Sequence, residues 1–200
     1  LKGGVKKGLR NIVEKYALDV RLTPNQDLLL CNIGNYQKSS ITKDLINIGF
    51  TDPANPDPLV RHAMACPALP LCGLAMTEAE RFLPELLDRI NKQLKKLKIN
   101  KSILIRVTGC PNGCARPYMA ELALVGSGLN QYQLWLGGSK DLKRLAKPYL
   151  QKMPINQLEQ TLDPLFLSWR DNGKSISLGD YVTSLGAESV LSLLTSKAAP

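Results

Sequence analysis

The stretch Ile103-Leu104-Ile105-Arg106-Val107-Thr108-Gly109-Cys110-Pro111-Asn112-Gly113-Cys114 joins a short apolar run directly to a cysteine loop. Ile103–Val107 has the length and composition of a buried strand. A loop leaving the C-terminal end of such a strand is a natural place for a ligand site in an α/β arrangement. Upstream lies a second loop, Cys66-Pro67-Ala68-Leu69-Pro70-Leu71-Cys72, too rich in proline for regular structure. Together they read Cys66-x5-Cys72, 37 intervening residues, Cys110-x3-Cys114. Four thiolates in two close pairs can surround one soft metal centre. Cys66 and Cys110 are each followed by proline, which stiffens the loop, and Gly109 and Gly113 let backbone N–H groups approach sulfur. Structural zinc prefers gaps of two to four residues, so the five-residue gap fits it poorly. Spacing therefore favours iron–sulfur, with zinc or unligated core thiols as the alternatives. Cys31, in the apolar run Leu28-Leu29-Leu30-Cys31, reads as a buried thiol.

Composition bounds the rest. The 200 residues are 44% hydrophobic and 22% charged, enough for a real core in one large domain or two small ones. No apolar run approaches the roughly 20 residues of a membrane span, and no signal segment opens the chain. The chain starts at Leu1, and Leu1–Gly4 reads like mid-protein sequence, so a fragment or processed chain is expected. One histidine, His62, excludes a multi-histidine metal site and leaves a serine–histidine triad a single candidate. Lys and Arg outnumber Asp and Glu by 26 to 17, a net +9, which favours acidic partners. Five cysteines without a secretory signal suit a reducing compartment.

Periodicity predicts a helix over Gly3–Ala17, strands at Leu18–Leu22 and Leu28–Ile33, and a second helix capped by Ser40 and ending at Gly49. Asp52-Pro53-Ala54-Asn55-Pro56-Asp57-Pro58 reads as a stiff linker. The expected division is therefore an α+β unit over 1–58 and a larger mixed α/β layer domain over 59–200. In the second segment, Thr77-Glu78-Ala79-Glu80 has the form of a capping box for a helix carrying Leu83, Leu86, Leu87, Ile90, Leu94 and Leu97. Pro84 predicts a kink or a later start. Strands are expected at Glu121–Val125 and Tyr132–Leu136 around a Gly126-Ser127-Gly128 turn. Helices are expected at Leu142–Leu150 and Ile155–Trp169, then two short pieces ending near Leu194, with a frayed Ser196–Pro200 tail.

Three quoted segments carry a resemblance: Ala65-Cys66-Pro67-Ala68-Leu69-Pro70-Leu71-Cys72, Thr77-Glu78-Ala79-Glu80-Arg81, and Arg106-Val107-Thr108-Gly109-Cys110-Pro111-Asn112-Gly113-Cys114. They closely resemble the sirohaem- and [4Fe-4S]-containing sulfite reductases of the nitrite/sulfite reductase family, most of all the ferredoxin-dependent type. The chain is similar to the C-terminal part of such an enzyme, beginning in a partial ferredoxin-like unit. Sirohaem nitrite reductases, which convert nitrite to ammonia, share the Thr-Gly-Cys-Pro-Asn core. Their first cysteine is typically followed by Thr-Gly-Asn, where this chain has Pro67-Ala68-Leu69, which favours sulfite. The resemblance implies that Cys66, Cys72, Cys110 and Cys114 ligate the cluster and that Cys114 also bridges to the sirohaem iron. It implies macrocycle contacts at Asn112 and Gly113, and six-electron reduction of sulfite to sulfide. It further implies ferredoxin as the acidic donor, the N-terminal half of the same enzyme as a partner, and a place in a bacterial cytoplasm or the plastid stroma. In the family the Arg and Lys residues that hold sulfite lie mostly in that N-terminal half, so this segment alone is expected to turn over little or nothing.

Other signals are weaker. Gly173-Lys174-Ser175 imitates the end of a P-loop, but Ser168 stands where glycine belongs. Gly137-Gly138-Ser139-Lys140 reads as a plain turn. His62 reads as a surface or hydrogen-bonded histidine. Arg89 to Lys101 holds basic residues without an acid, and Lys140, Lys143, Arg144 and Lys147 form a second basic group. Each could be a solvated face or a docking surface for an acidic donor. Nucleic-acid binding ranks below redox function because no aromatics interleave these charges. A non-catalytic, metal-stabilised binding module is the remaining alternative.

Overall fold

In the computed structural model, residues 4–51, 57–173 and 175–196 are described. Most of the expected linker (52–56), Lys174 of the P-loop imitation and tail residues 197–200 lie outside them. The chain divides into two compact units, Leu1–Asp57 and Pro58–Pro200.

The first unit runs α1 (Val5–Tyr16), β1 (Asp19–Leu22), β2 (Leu28–Cys31), α2 (Lys38–Asn47). The strands pair antiparallel, Val20 opposite Leu30 and Leu22 opposite Leu28. Ile12, Leu18 and Ile41 form a small core, with Leu30, Ile33 and Leu45 packed on it. α1 closes on Ala17 in the left-handed conformation. Asp44 of α2 accepts hydrogen bonds from Lys15 (2.8 Å) and from the Tyr16 hydroxyl (2.9 Å). Ser40 does not cap α2. The cap is Gln37, and its side-chain oxygen accepts the Gly34 N–H at 3.0 Å, which starts the helix earlier than expected.

The second unit begins with α3 (Pro58–His62), β3 (Met64–Ala65), α4 (Leu83–Lys96) and β4 (Ile105–Thr108). After a 3-10 turn at Pro117–Met119 come β5 (Leu122–Gly128), β6 (Gln131–Leu136) and β7 (Lys147–Pro154). α5 (Leu158–Asn172), α6 (Leu178–Leu185) and α7 (Ala187–Thr195) follow. The five strands form one mixed sheet in the order β3-β4-β5-β6-β7. β3, β4 and β5 are parallel neighbours, and β5, β6 and β7 are antiparallel. Because strand side chains alternate, Ile105, Val107, Leu122 and Leu124 enter the main core with Leu86, Ile90, Leu162, Leu165, Phe166 and Trp169. Full burial of each such side chain stabilises by about 1.5–3 kcal/mol.

The later start that Pro84 predicts is found: α4 begins at Leu83, so Pro84 falls in its first turn, where the missing N–H costs nothing. Three expectations are corrected in this unit, the first being the Thr77 cap. Thr77 is fully buried instead: its hydroxyl donates to the Tyr132 hydroxyl at 3.3 Å and accepts the Asn130 N–H at 3.2 Å. Gly126-Ser127-Gly128 lies within β5 at a bulge, and the turn falls at Leu129-Asn130. The expected Leu142–Leu150 helix does not form: residues 142–146 are irregular and Lys147–Leu150 belong to strand β7. Register shifts against β6 mask its alternation, and Pro148 and Pro154 suit an edge strand.

Two polar anchors, one buried and one partly exposed, lock the layers. The Glu121 carboxylate, fully buried, accepts the N–H groups of Leu104 (2.9 Å) and Gly179 (3.1 Å) and has Lys140 at 4.0 Å. Arg89 of α4 clasps Glu159 of α5 with two hydrogen bonds, 2.6 and 2.7 Å, and donates to the Ile155 carbonyl at 2.8 Å. Hydrogen bonding to Arg89 holds the Glu159 carboxyl below its ordinary value. Such a group stabilises the fold above its unfolded pKa, and that contribution is lost as pH falls through the lowered folded value. Glu159→Gln is expected to cost about 1 kcal/mol at neutral pH, after discounting the solvent screening of a carboxylate 39% exposed. Denaturant unfolding of both proteins from pH 7 into the acid range should show the difference shrink towards zero.

Candidate metal centre

β3 and β4 run parallel and end at the same edge of the sheet, so the two cysteine loops leave it side by side. Cys66 directly follows β3, and its N–H donates to the Val107 carbonyl at 3.2 Å, continuing the ladder. Cys110 stands two residues beyond β4. The Gly109 N–H between strand and cysteine points at the Cys66 sulfur, 3.3 Å away. The Gly109 carbonyl accepts the N–H groups of Met76 (2.8 Å) and Thr77 (3.3 Å). A side chain at Gly109 would come within 2.6 Å of the Ala68 methyl and 2.8 Å of the Thr77 carbonyl oxygen. Glycine is therefore required there by close packing of the two loops as well as by access to sulfur.

The first loop is internally tied. The Cys72 N–H donates to the Ala68 carbonyl (2.8 Å), Ala75 N–H to Cys72 (3.1 Å) and Glu80 N–H to Cys66 (3.0 Å). Ala68 is fully buried and left-handed. In the second loop, Gly113 has φ +69°, and the Tyr118 ring occupies the space where a side chain would project, 2.8 Å from that position. Gly113 thus admits an aromatic ring, a role the sequence did not suggest.

Cys66 and Cys110 are buried, Cys72 is half-buried and Cys114 is exposed, as is Asn112. Burial pushes the Cys66 thiol above its ordinary value, the Gly109 and Ala68 amides pull it down, and the neighbouring Cys114 and Cys110 side chains push it up. Cys66, Cys110 and Cys114 thus share one electrostatic neighbourhood, while Cys72 lies on the loop that Ala68 and Ala75 brace. Among the described residues, no three His, Cys, Asp or Glu side chains form a group that could hold a single metal ion. A tetrahedral zinc bound by four cysteines would need its sulfurs within about 3.8 Å of one another, from Zn–S bonds of about 2.3 Å. A four-iron cluster spreads its thiolates farther apart. The all-sulfur donor set, with an amide already directed at one sulfur, suits such a cluster.

Two polar groups beneath the second loop were not singled out from the sequence. Arg106, 2% exposed on β4, donates from Nη1 to the Arg116 carbonyl at 3.1 Å. Burial lowers its pKa, and the like charge of Arg116 lowers it further. Its Nε and the buried Thr108 hydroxyl have no hydrogen-bond partner among the described residues. The available signal was a charge inside an otherwise apolar strand. Tyr118 gave none. Cys31 lies half-buried at the end of β2 in the first unit. His62 lines a cavity of about 120 Å³ with Ser102, Ile103, Leu104 and Lys140.

Residues 57–199 match the sequence model of the nitrite and sulphite reductase 4Fe-4S domain. The ferredoxin-type sulfite reductase of Synechococcus elongatus is 44% identical over 188 residues, 93% of this chain and 30% of that protein. The hemoprotein beta-component of the NADPH-type sulfite reductase of Staphylococcus saprophyticus is 40% identical over 184 residues, 91% of this chain and 32% of that protein. The chain thus spans about a third of the length of these curated relatives. Among solved structures, the NirA protein of Mycobacterium tuberculosis shares the fold with a TM-score of 0.78 at 20% identity, over 95% of this chain and 37% of that one. Dissimilatory sulfite reductase I shares it with a TM-score of 0.67 at 10% identity, over 97% of this chain and 66% of that one. The cofactors implied by these relationships are a [4Fe-4S] cluster and sirohaem. With the match covering most of its length and two cysteine loops side by side at one sheet edge, the chain belongs to the nitrite and sulphite reductase 4Fe-4S domain family.

Proposed function

We propose that this chain is the cluster-bearing C-terminal portion of an assimilatory sulfite reductase that converts sulfite to sulfide. The observation that carries the reading is the pairing of the Cys66 and Cys110 loops through the Gly109 N–H and the Cys66 sulfur. Sulfite is preferred to nitrite because Pro67-Ala68-Leu69 follows the first cysteine and because the relatives above are named sulfite reductases. Cys66, Cys72, Cys110 and Cys114 would hold the cluster, and Cys114, the exposed one of the four, would also serve the sirohaem iron. Exposed Asn112 and half-buried Gly113 of the same loop would contact the macrocycle. The bound cofactors supply single electrons and a binding site for sulfite. Overall, HSO3⁻ takes up six electrons and six protons to give HS⁻ and three waters.

The chain's own residues do three things in this scheme. Gly109 donates a hydrogen bond to a ligand sulfur, which favours the thiolate and stabilises added negative charge. Thr77, Met76 and Gly109 keep the two loops in fixed register. Buried Cys66 and Cys110 set two ligands away from water, while Cys114 faces outward.

Ferredoxin as donor follows from the name of the S. elongatus relative and from the net charge of +9. The basic groups are partly neutralised: Arg89 is held by Glu159, Lys92 by Asp88, Lys143 by Asp141 and Arg144 by Asp180. No helix among the described residues is long and apolar enough to cross a membrane. A bacterial cytoplasm or plastid stroma is proposed as the compartment on the family resemblance alone. The N-terminal part of the enzyme is the partner of the first unit, a partial ferredoxin-like unit. That unit's two-stranded sheet exposes Val20, Leu28, Leu29 and, at 82%, Leu22, and a two-stranded sheet alone is marginally stable. Hydrogen exchange at Val20–Leu22 and Leu28–Leu30 is expected to be fast in this chain alone and slow in the complete enzyme.

Iron and acid-labile sulfide in the anaerobically purified complete enzyme should each be about four per chain. Cys110→Ser should lose most of the cluster without unfolding the sheet. Zinc in place of iron would instead establish a metal-stabilised binding module. In turnover with a reduced donor, the complete enzyme should oxidise the donor faster with sulfite than with nitrite, and the reverse would make it a nitrite reductase. The 200-residue chain alone should show little or no sulfite-dependent donor oxidation, because the family resemblance puts most of the Arg and Lys residues that hold sulfite outside it.

A further inference from the structure

We propose that Tyr118 is a positioning residue for Cys114, holding the Pro111–Cys114 turn in its ligating shape before any cluster is bound. The inference rests on Cys114 being a cluster ligand. Three observations carry it. The Tyr118 hydroxyl donates to the Pro111 carbonyl at 2.7 Å, closing a bridge across the turn. The ring fills the space beside Gly113, whose φ of +69° makes the turn possible. The ring is itself fixed from outside: it meets Trp135 edge-on at a centroid distance of 4.8 Å, and the Tyr118 carbonyl accepts the Ala146 N–H at 2.7 Å.

The consequence is a turn braced on both sides. Within it, the Arg116 N–H donates to the Gly113 carbonyl at 2.7 Å. From β4, Arg106 donates to the Arg116 carbonyl at 3.1 Å. Without Tyr118 an exposed cysteine on a glycine-containing turn would sample many positions. With it, the sulfur is offered in one place, and little ordering is left for metal binding to impose. The Trp135 indole N–H donates to Gln133 at 2.8 Å, so the supporting ring is also fixed by the sheet.

The test is Tyr118→Phe in the complete enzyme, a change that keeps the ring and removes the one hydrogen bond to Pro111. Its expected signature is full iron content, shifted EPR line positions of the reduced cluster, and iron release to a chelator about tenfold faster. In the cluster-free protein the Arg116 amide should also exchange about tenfold faster. A purely structural contact would lower thermal stability and leave the EPR lines alone. Unchanged lines and unchanged release would overturn the proposal, whatever the melting temperature. A Tyr118→Phe protein that failed to fold would be replaced by Trp135→Phe, which loosens the ring's support and should shift the same lines in the same direction. Cys114→Ser separates the premises: a variant keeping the wild-type cluster spectrum would remove Cys114 as ligand and with it the proposal. Loss of the cluster there, with an unaltered Tyr118→Phe spectrum, would overturn the proposal alone.

Discussion

Everything at the sheet edge depends on how closely the chain approaches Gly109. Its N–H is directed at the Cys66 sulfur, and its carbonyl accepts two amides from the stretch that follows the first loop. Its Cα leaves no room for a side chain against Ala68, and Gly126 of β5 abuts its carbonyl with equally little space. Three segments remote in sequence therefore converge on one peptide unit. Backbone polar groups so confined must be paired, and here they are paired with the neighbouring loop. Sulfur placement is thereby coupled to the integrity of the strand ladder. A methyl group added at Gly109 would act on both at once, by pushing Ala68 and the Thr77 carbonyl away.

Some of this was legible in the sequence because the chemistry is local. The cysteine spacing, the glycines beside it and the apolar run before it are all short-range signals, and the strand expected at Ile103–Val107 is found as β4, Ile105–Thr108, leading into the second loop. Helices α1, α4 and α5 carry apolar residues at helical spacing and were readable for the same reason. The failures share a different cause. Thr77 has the form of a helix cap, yet Tyr132 and Asn130 claim its hydroxyl from more than fifty residues away. β7 reads as helix because irregular register conceals its alternation and because its partner strand, not its own sequence, decides its state. Gly126-Ser127-Gly128 looks like a turn, but glycine there answers the approach of Gly109.

The same contrast governs the charges. Counting basic residues marks two surface groups, and the structure pairs several of them with acidic side chains of the same chain, at partly to largely exposed positions. Lys101 lies over the Trp169 ring at 4.7 Å, its ammonium held by the Gly173 carbonyl. The charge with most structural consequence is Arg106, which no count distinguished. A guanidinium this deeply buried is costly unless negative charge or hydrogen bonds offset it. One of its donors supports the second cysteine loop.

Exposure gives the site a direction. Two cysteines, Cys66 and Cys110, stand at the ends of adjacent parallel strands and are buried. Cys114 is exposed at the far end of a turn whose other outward residues, Pro111 and Asn112, are exposed as well. Leu71 and Leu74, on either side of Cys72, present apolar surface at 80% and 69% exposure. An apolar patch next to polar ligands is favourable only where something is to cover it. A cofactor held by these four sulfurs would have a protected inner side against β3 and β4 and an open outer side at Cys114. A second group touching such a cofactor would meet solvent-exposed chain at Cys114. The burial pattern therefore supports, on physical grounds separate from the motif, the proposal that Cys114 is the shared thiolate.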